Sequence, residues 1–554
     1  MGLFTKKPIH TLYADAVAGT NQLKQTLSRR SLIGLGIGAI IGAGLFVRTA
    51  AAAAQNAGPS VTYGFILAAI GCALAGLCYA ELSSSIPIAG SAYTYSYATM
   101  GELFAWIIGW DLVLEYAVGA ATVGIAWSEY LNNLLVNVFH VKAVAYEWCH
   151  SPFEKSADGV RGIVNLPAFG IVTVLSLLLI RGTKESAFFN NLIVVVKVAI
   201  VLLIISIGWG FMQPANHTPY IPEPSTYVDP QGISHHFGGF WGIVGAAGVV
   251  FFAFIGFDAV STAAQEAKNP GKDMPWGILG SLGICTILYI LFAHVLTGVA
   301  TVEDFRTTGK EASVAFAINK YMPGFHWLGN FVTIAILAGF SSVILVMLLG
   351  QSRVFYSMGN DGLLPNFFSA IHPKFKTPYK ANLIIMVIVG LFAAFVPGDI
   401  VGDMTSIGTL FAFILVCAAV IILRKTDPDL PRKFRTPLVP LLPILGMVVC
   451  FLMILGLGWT NWLRLVIWLD LGFLIYFGYS INRSKLHHAS NFKMNKTPFL
   501  VGVSMIALTL GINYFVHFPV WLELSIWSAI GVVILTLGIM QKSSDPNHTI
   551  LNSD

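Results

Sequence analysis

Four ionisable residues stand inside long apolar runs, and their types restrict the chemistry they can do. Lys197 sits in NNLIVVVKVAIVLLII, Asp111 and Glu115 lie in WIIGWDLVLEYAVGA, and Asp258 follows Gly256 in FFAFIGFDAVSTAAQE. A charged group in such surroundings is costly unless it pairs, faces a polar cavity or exchanges a proton. The spacing of Asp111 and Glu115 puts both on one helix face. That implies polar surroundings, a proton on one carboxyl, or a position near a membrane edge; a structural bond from Asp111 to a neighbouring helix fits equally well. Lys197 could stretch its stem toward a basic surface, but Arg181 and Lys184 leave it well inside the run. A buried ammonium pairs or gives up its proton, so Lys197 is a candidate coupling group.

The elements that would position these groups are rich in glycine. SLIGLGIGAIIGAGLFVRTAAAA carries Gly34, Gly36, Gly38, Gly42 and Gly44. Small residues let membrane helices approach closely, which is one reading. The other is an interrupted helix, in which backbone amides leave the ladder and a half-helix N-terminus faces a carboxylate. Gly256 gives the run around Asp258 the same potential, with Ser261 and Thr262 one turn on. Two discontinuous helices five spans apart match a pair of inverted five-helix repeats, although no residue match between the halves is evident.

The spans themselves follow from composition. The chain has 554 residues, of which 56% are apolar and 11% charged. Soluble proteins average about a quarter charged residues, so a soluble class is excluded. A crossing helix needs roughly 20 apolar residues. Fourteen spans are expected, at 31–56, 60–86, 101–134, 163–180, 186–210, 239–264, 275–300, 328–357, 379–397, 403–423, 438–457, 460–480, 498–516 and 520–540. The stretches 101–134 and 328–357 are long enough to tilt or to pass the membrane surface. With the N-terminus inside, the outer side holds only Lys142, Lys155, Arg161, Arg306, Lys310, Lys320 and Arg464, and most of the 32 Lys and Arg residues fall inside. Basic residues mark the cytoplasmic side, so both termini are expected there, in a plasma (inner) membrane. The run CYAELSSSIPIAGSAYTYSY, between the second and third spans, offers Tyr93, Tyr95 and Tyr97 as an interfacial helix or as part of an inner gate.

Other classes fall away. Segments of about 10 alternating residues, the mark of a membrane barrel, do not occur. The six cysteines form no CxxC pair, and the small net charge of +5 is scattered, which disfavours nucleic acid as a partner. No HExxH, GxSxG or P-loop is present, so an enzyme, a metal site, a cofactor and ATP-driven transport are not expected. His235 and His236 form an isolated pair, read as solvent-facing. The first residues lack an apolar core with a cleavage site, so the first span is expected to act as the insertion signal.

GIGAIIGAGLF at 36–46, YAELSSSIPIAGSAYTYSY at 79–97 and FFAFIGFDAVSTAAQEAKNPGKDMP at 251–275 resemble the amino acid–polyamine–organocation superfamily of transporters. GQSRVFYSMGNDGLLP at 350–365 and FRTPLVPLLPIL at 434–445 extend the resemblance, which is closest to the bacterial branch of its cationic amino acid transporters. It implies an all-α integral membrane protein of LeuT-like fold, with two inverted five-helix repeats and additional C-terminal helices. A cytoplasmic segment 1–30 would precede a ten-helix core at 31–423, accessory helices at 424–540 and a tail at 541–554. The resemblance further implies an amino acid carboxylate near Ile41, Gly42, Ala43 and Gly44, and its amine on carbonyls near Ile37, Phe252, Ala253 and Ile255. Phe254 would be an aromatic gate, Glu115 and Asp258 side-chain ligands, and Lys197 the group standing where sodium-coupled relatives hold sodium. The expected function is proton-coupled uptake of cationic L-amino acids by alternating access. A broad neutral amino acid transporter or exchanger is the alternative, and a non-transporting amino acid sensor is the alternative of another class. Membrane lipid is an expected partner, with a small membrane subunit or self-association left open.

Overall fold

The computed structural model describes residues 3–9, 11 and 27–488, except 43, 89, 157–158, 182, 229–233, 308–312, 458 and 482. The expected spans 498–516 and 520–540, the tail, most of the 1–30 segment and Ala43 lie outside the described residues.

The first apolar run does not form one helix. Ser28 caps α1 (Arg29–Ile40), its hydroxyl accepting from the Ser31 amide, and the helix stops where Ile41 turns extended at φ −73°, ψ 105°. The chain resumes as a wider-wound helix, α2 (44–57), with π turns at Gly44–Arg48 and Ala53–Ala57. Gly58, at φ +56°, takes the turn into α3 (Val61–Ser85), so the first two expected spans run on with hardly a loop. A short helix α4 (Ala92–Thr99) leads into α5 (102–137), which carries a π turn at Leu114–Val118. Next come α6 (Leu166–Arg181) and α7 (Thr183–Gly208). Strands β1 (Ser225–Val228) and β2 (Ser234–Phe237) then pair antiparallel, Ser225 opposite Phe237.

The sixth run is also broken. Helix α8 (Gly239–Phe251) tightens to a 3-10 turn at Phe252–Phe254, unwinds through 255–258, and resumes as the single turn α9 (Ala259–Thr262). Gly256 stands at φ +110°, a conformation L side chains avoid, and a Cβ there would meet Ala39 of α1. Helix α10 (Pro270–Val299) is followed by α11 (Val302–Thr307), α12 (Ser313–Tyr321) and the long α13 (His326–Asn360). Helices α14 (Tyr379–Phe395), α15 (Gly398–Thr426), α16 (Leu441–Gly456) and α17 (Trp459–Ile475) follow. Among the described residues, seven helical stretches are long and apolar enough to cross a bilayer.

The broken helices lie centrally: α1 packs against α7, α10 and α13, and α8 packs along α3. At the face where the chain begins, here the basic face, short chain segments tie the ends together. Leu27 pairs with the backbone of Glu266 and Lys268 at 2.9 Å each way. Lys7 reaches Asp361 at 2.6 Å, and Glu81 accepts Arg424 at 2.7 and 2.8 Å. Tyr93, Tyr95 and Tyr97 are fully buried, which corrects the interfacial reading. Tyr93 donates to Asp361 and Tyr97 to Glu102, both at 2.7 Å, because a hydroxyl withdrawn from water needs an acceptor. On the opposite face Arg306 donates to the Ala54 carbonyl at 3.0 Å and lies over the Tyr227 and Phe237 rings of the hairpin, 4.4 and 4.7 Å from their centroids.

Candidate functional site

The last rung of the α1 ladder is the Ile41 amide on the Ile37 carbonyl, at 3.0 Å. The carbonyls of the final turn, like those of any helix end, then lack amide donors. Lys197 supplies one: from α7 its ammonium donates to the Gly38 carbonyl at 2.8 Å and the Ile41 carbonyl at 2.7 Å. With 1% of its surface exposed, it does not extend to either surface. A cation at a helix C-terminus is also favoured by the dipole. The Ser342 hydroxyl of α13 lies 2.6 Å from Asn190 Oδ1 and 3.2 Å from the same Gly38 carbonyl, and its one proton serves one of these acceptors at a time. Asn190 in turn donates to the Gly34 carbonyl at 3.3 Å.

The two breaks face each other. A Cβ on Gly44 would run into the backbone of Ala253, and one on Gly42 into the side chain of Val343. Tyr289 of α10 stands between them, its hydroxyl 2.7 Å from the Ile40 carbonyl and 2.9 Å from the Ala253 carbonyl. A hydroxyl has one proton, so Tyr289 can satisfy only one of these oxygens at a time. Its ring packs on Phe254 at 5.3 Å, and Phe254 also meets Phe65 at 6.2 Å. The expected aromatic gate is therefore fully buried, wedged between α3 and α10. Tyr289→Phe keeps this packing and removes the bridge; with one buried carbonyl left unsatisfied, a stability loss of about 1–3 kcal/mol is expected, read as a lower melting temperature of purified protein.

The expected backbone site thus comes together as Ile37, Ile41, Gly42 and Gly44 on one side and Phe252, Ala253 and Ile255 on the other. Parts of it are engaged internally: the Ile37 carbonyl by Ile41, the Phe252 carbonyl by Ile255 at 3.4 Å, and the Gly42 carbonyl by Leu45 at 3.2 Å. The Gly42 carbonyl also takes the Phe46 amide at 3.4 Å, whereas the Ile37 and Phe252 carbonyls each retain a second lone pair.

The carboxylates gather beside the end of the unwound segment. Tyr116 donates its hydroxyl to Asp258, immediately after the unwound segment. Glu115 lies beside Asp258 and Thr409. Both oxygens of Glu115, both of Asp111 and Oδ1 of Asp258 are buried with no hydrogen-bond partner among the described residues. Asp111 faces α15, where a Cβ on Gly408 would come within 3.0 Å of its Oδ1. The π turn at Leu114–Val118 widens α5 where Glu115 and Tyr116 must reach toward Asp258, and such bulges recur at functional sites. Sequence reasoning did not single out Tyr116, Asn190, Tyr289 or Ser342. Their signal is a hydrogen-bonding side chain in an apolar span, weaker than a charge.

Comparison with known proteins adds independent information. The amino acid permease family profile matches residues 27–503. The chain is 43% identical to a branched-chain amino acid permease, BcaP, of Bacillus subtilis, over 88% of this chain and 99% of that one. It is 40% identical to a methylthioribose transporter of the same organism, with the same coverage. A vacuolar cationic amino acid transporter 4 of Arabidopsis thaliana is 32% identical, over 77% of this chain and 68% of that protein.

Proposed function

We propose a substrate route from one premise: this chain belongs to the amino acid permease family of the amino acid–polyamine–organocation superfamily, and is a multi-pass, non-enzymatic transporter. The substrate's carboxylate is held at Ile41–Gly44, at the start of α2. Its ammonium takes the remaining lone pairs of Ile37, Phe252, Ala253 and Ile255. Phe254 and Tyr289 close over it from α8 and α10. The protein stands with its basic face to the cytoplasm, as a ten-helix core of two inverted repeats within fourteen spans. Substrate passes when the α1–α2 and α8–α9 pairs tilt against the remaining helices.

The observation that carries this reading is the Lys197 ammonium on the Gly38 and Ile41 carbonyls. Carbonyls at a broken helix end are a cation's ligands. With an ammonium already there, sodium has no place, and the coupling ion is a proton moving on and off Lys197. Net uptake driven by a proton gradient follows, and replacing sodium by choline leaves uptake unchanged.

The proposed cargo is a neutral L-amino acid with an apolar side chain, a choice supported by the greater likeness to the branched-chain permease than to the cationic transporter. One observation favours a second reading. Among the described residues no buried positive charge stands beside Glu115 and Asp258, and the head group of lysine, arginine or ornithine would supply one. In the first reading the pair shares a proton instead. Competition of labelled L-leucine uptake by a panel of cationic and neutral amino acids tests the choice. Under the leading reading valine and isoleucine compete, lysine does not, and Glu115→Gln lowers leucine uptake while flattening its dependence on outside pH. Loss of lysine uptake with leucine uptake intact would make Glu115 the head-group ligand and reverse the assignment.

A further inference from the structure

The broken helix α8–α9 ends at the basic face in a 3-10 turn, Ala264–Glu266. There the Glu266 carboxylate is gripped by Arg353 of α13, Nε donating at 2.9 Å and Nη2 donating to the same oxygen. The two side chains are 5% and 4% exposed. Arg353 also donates to the Leu349 carbonyl at 3.2 Å, and the Glu266 main chain is tied to Leu27. Next to the pair is a cavity of about 50 Å³, lined by both of them with Ser352, Lys376, Thr377 and Asn382 from α13 and the entry to α14. In the proposed cycle the pair thus joins an element that tilts to one that stays, beside a part-polar, part-apolar space on the side from which substrate leaves.

Opening this junction separates two buried opposite charges. Breaking such a pair from one side leaves an uncompensated charge and is strongly unfavourable. An amino acid carries one charge of each sign at its α-carbon, the signs that the separated partners require. We propose that Glu266 and Arg353 form a transient exit site for the zwitterionic amino acid. The ammonium takes the place of Arg353 on Glu266, and the carboxylate takes the place of Glu266 on Arg353. The cavity is smaller than an amino acid, so the site exists only as the junction opens. An empty transporter stays shut there because opening strands the Arg353 guanidinium, for which the cavity lining offers no carboxylate besides Glu266, and a loaded one opens. Release is thereby tied to occupancy at a position distinct from the broken-helix site.

This inference rests on the proposed transport reading, and its test separates the two. A Ser352→Cys variant places a thiol in the cavity, where the native described cysteines, all buried, contribute little background. In proteoliposomes, the rate of its labelling by a small thiol reagent is expected to rise about tenfold when saturating L-leucine is added. In Glu266→Gln/Arg353→Met, which replaces both charges and so folds without an orphan, labelling is fast with or without leucine. Each single variant, which leaves one charge unpaired, labels fast without leucine and loses the leucine response. Labelling that ignores leucine in a protein still taking it up, or a double variant that labels slowly, overturns the exit site and makes the pair a fixed strut. A protein that takes up no amino acid at all fails the transport reading itself, and the exit site with it.

Discussion

Lys197→Met abolishes uptake while leaving a protein that purifies intact. The ammonium makes two hydrogen bonds, at 2.8 and 2.7 Å, to carbonyls that no amide of the described residues reaches. Hydrogen bonds to charged groups contribute about 1.5–3 kcal/mol each, so removing both costs about 3–6 kcal/mol. Each 1.4 kcal/mol is about tenfold in an equilibrium, so the arrangement of the α1 end that binds substrate falls in population by more than about a hundredfold. Methionine fills a similar volume, so the packing against Gly339 in α13, where an added Cβ would come within 3.2 Å of the lysine stem, is largely kept. The expected result is uptake at background, with a melting temperature several degrees lower. Uptake within about tenfold of wild type would remove Lys197 from the coupling role.

The second large effect concerns Gly44. Alanine there drives its Cβ into the backbone of Ala253, and neither partner is a flexible side chain that can turn aside. The two unwound segments must separate. Overpacking of this kind costs about 1–3 kcal/mol in an ordinary core, and here it falls on the gap that receives the amino acid. Gly44→Ala is expected to weaken leucine binding by about 10–100-fold, measured by radioligand binding in detergent. Gly283→Ala is the matched comparison, because nothing lies within 4 Å of its added carbon; its binding is expected to equal wild type. If Gly44→Ala binds as Gly283→Ala does, the site does not lie between the breaks.

What was legible in the sequence was whatever composition and charge make expensive. A lysine in an apolar run must be accommodated by something, and the glycines at 38, 42 and 44 announced where the ladder could open; the structure joins the two. Gly256 beside Asp258 read the same way. What escaped notice depends on distance between segments far apart in the chain. Tyr289 looks like any aromatic in a span until its hydroxyl is placed between the carbonyls of Ile40 and Ala253. The alternating tyrosines at 93, 95 and 97 suggested a membrane interface because the acceptor of Tyr93, Asp361, lies far along the chain and is invisible from local pattern. The π turn in α5 leaves no mark in residue type. Glu115 shows why cargo is the hardest property to read: its helix position was evident, yet its neighbours are Asp258 and Thr409, and a proton or a head group meets the same electrostatic need.

Accumulation of labelled L-leucine in proteoliposomes, with an acid-outside pH gradient and with none, tests the central claim most directly. The account predicts concentrative uptake that requires the gradient, collapses with a protonophore, ignores sodium and is absent in Lys197→Met. Leucine that binds but never accumulates, or accumulates equally without a gradient, would contradict proton-coupled transport by this site.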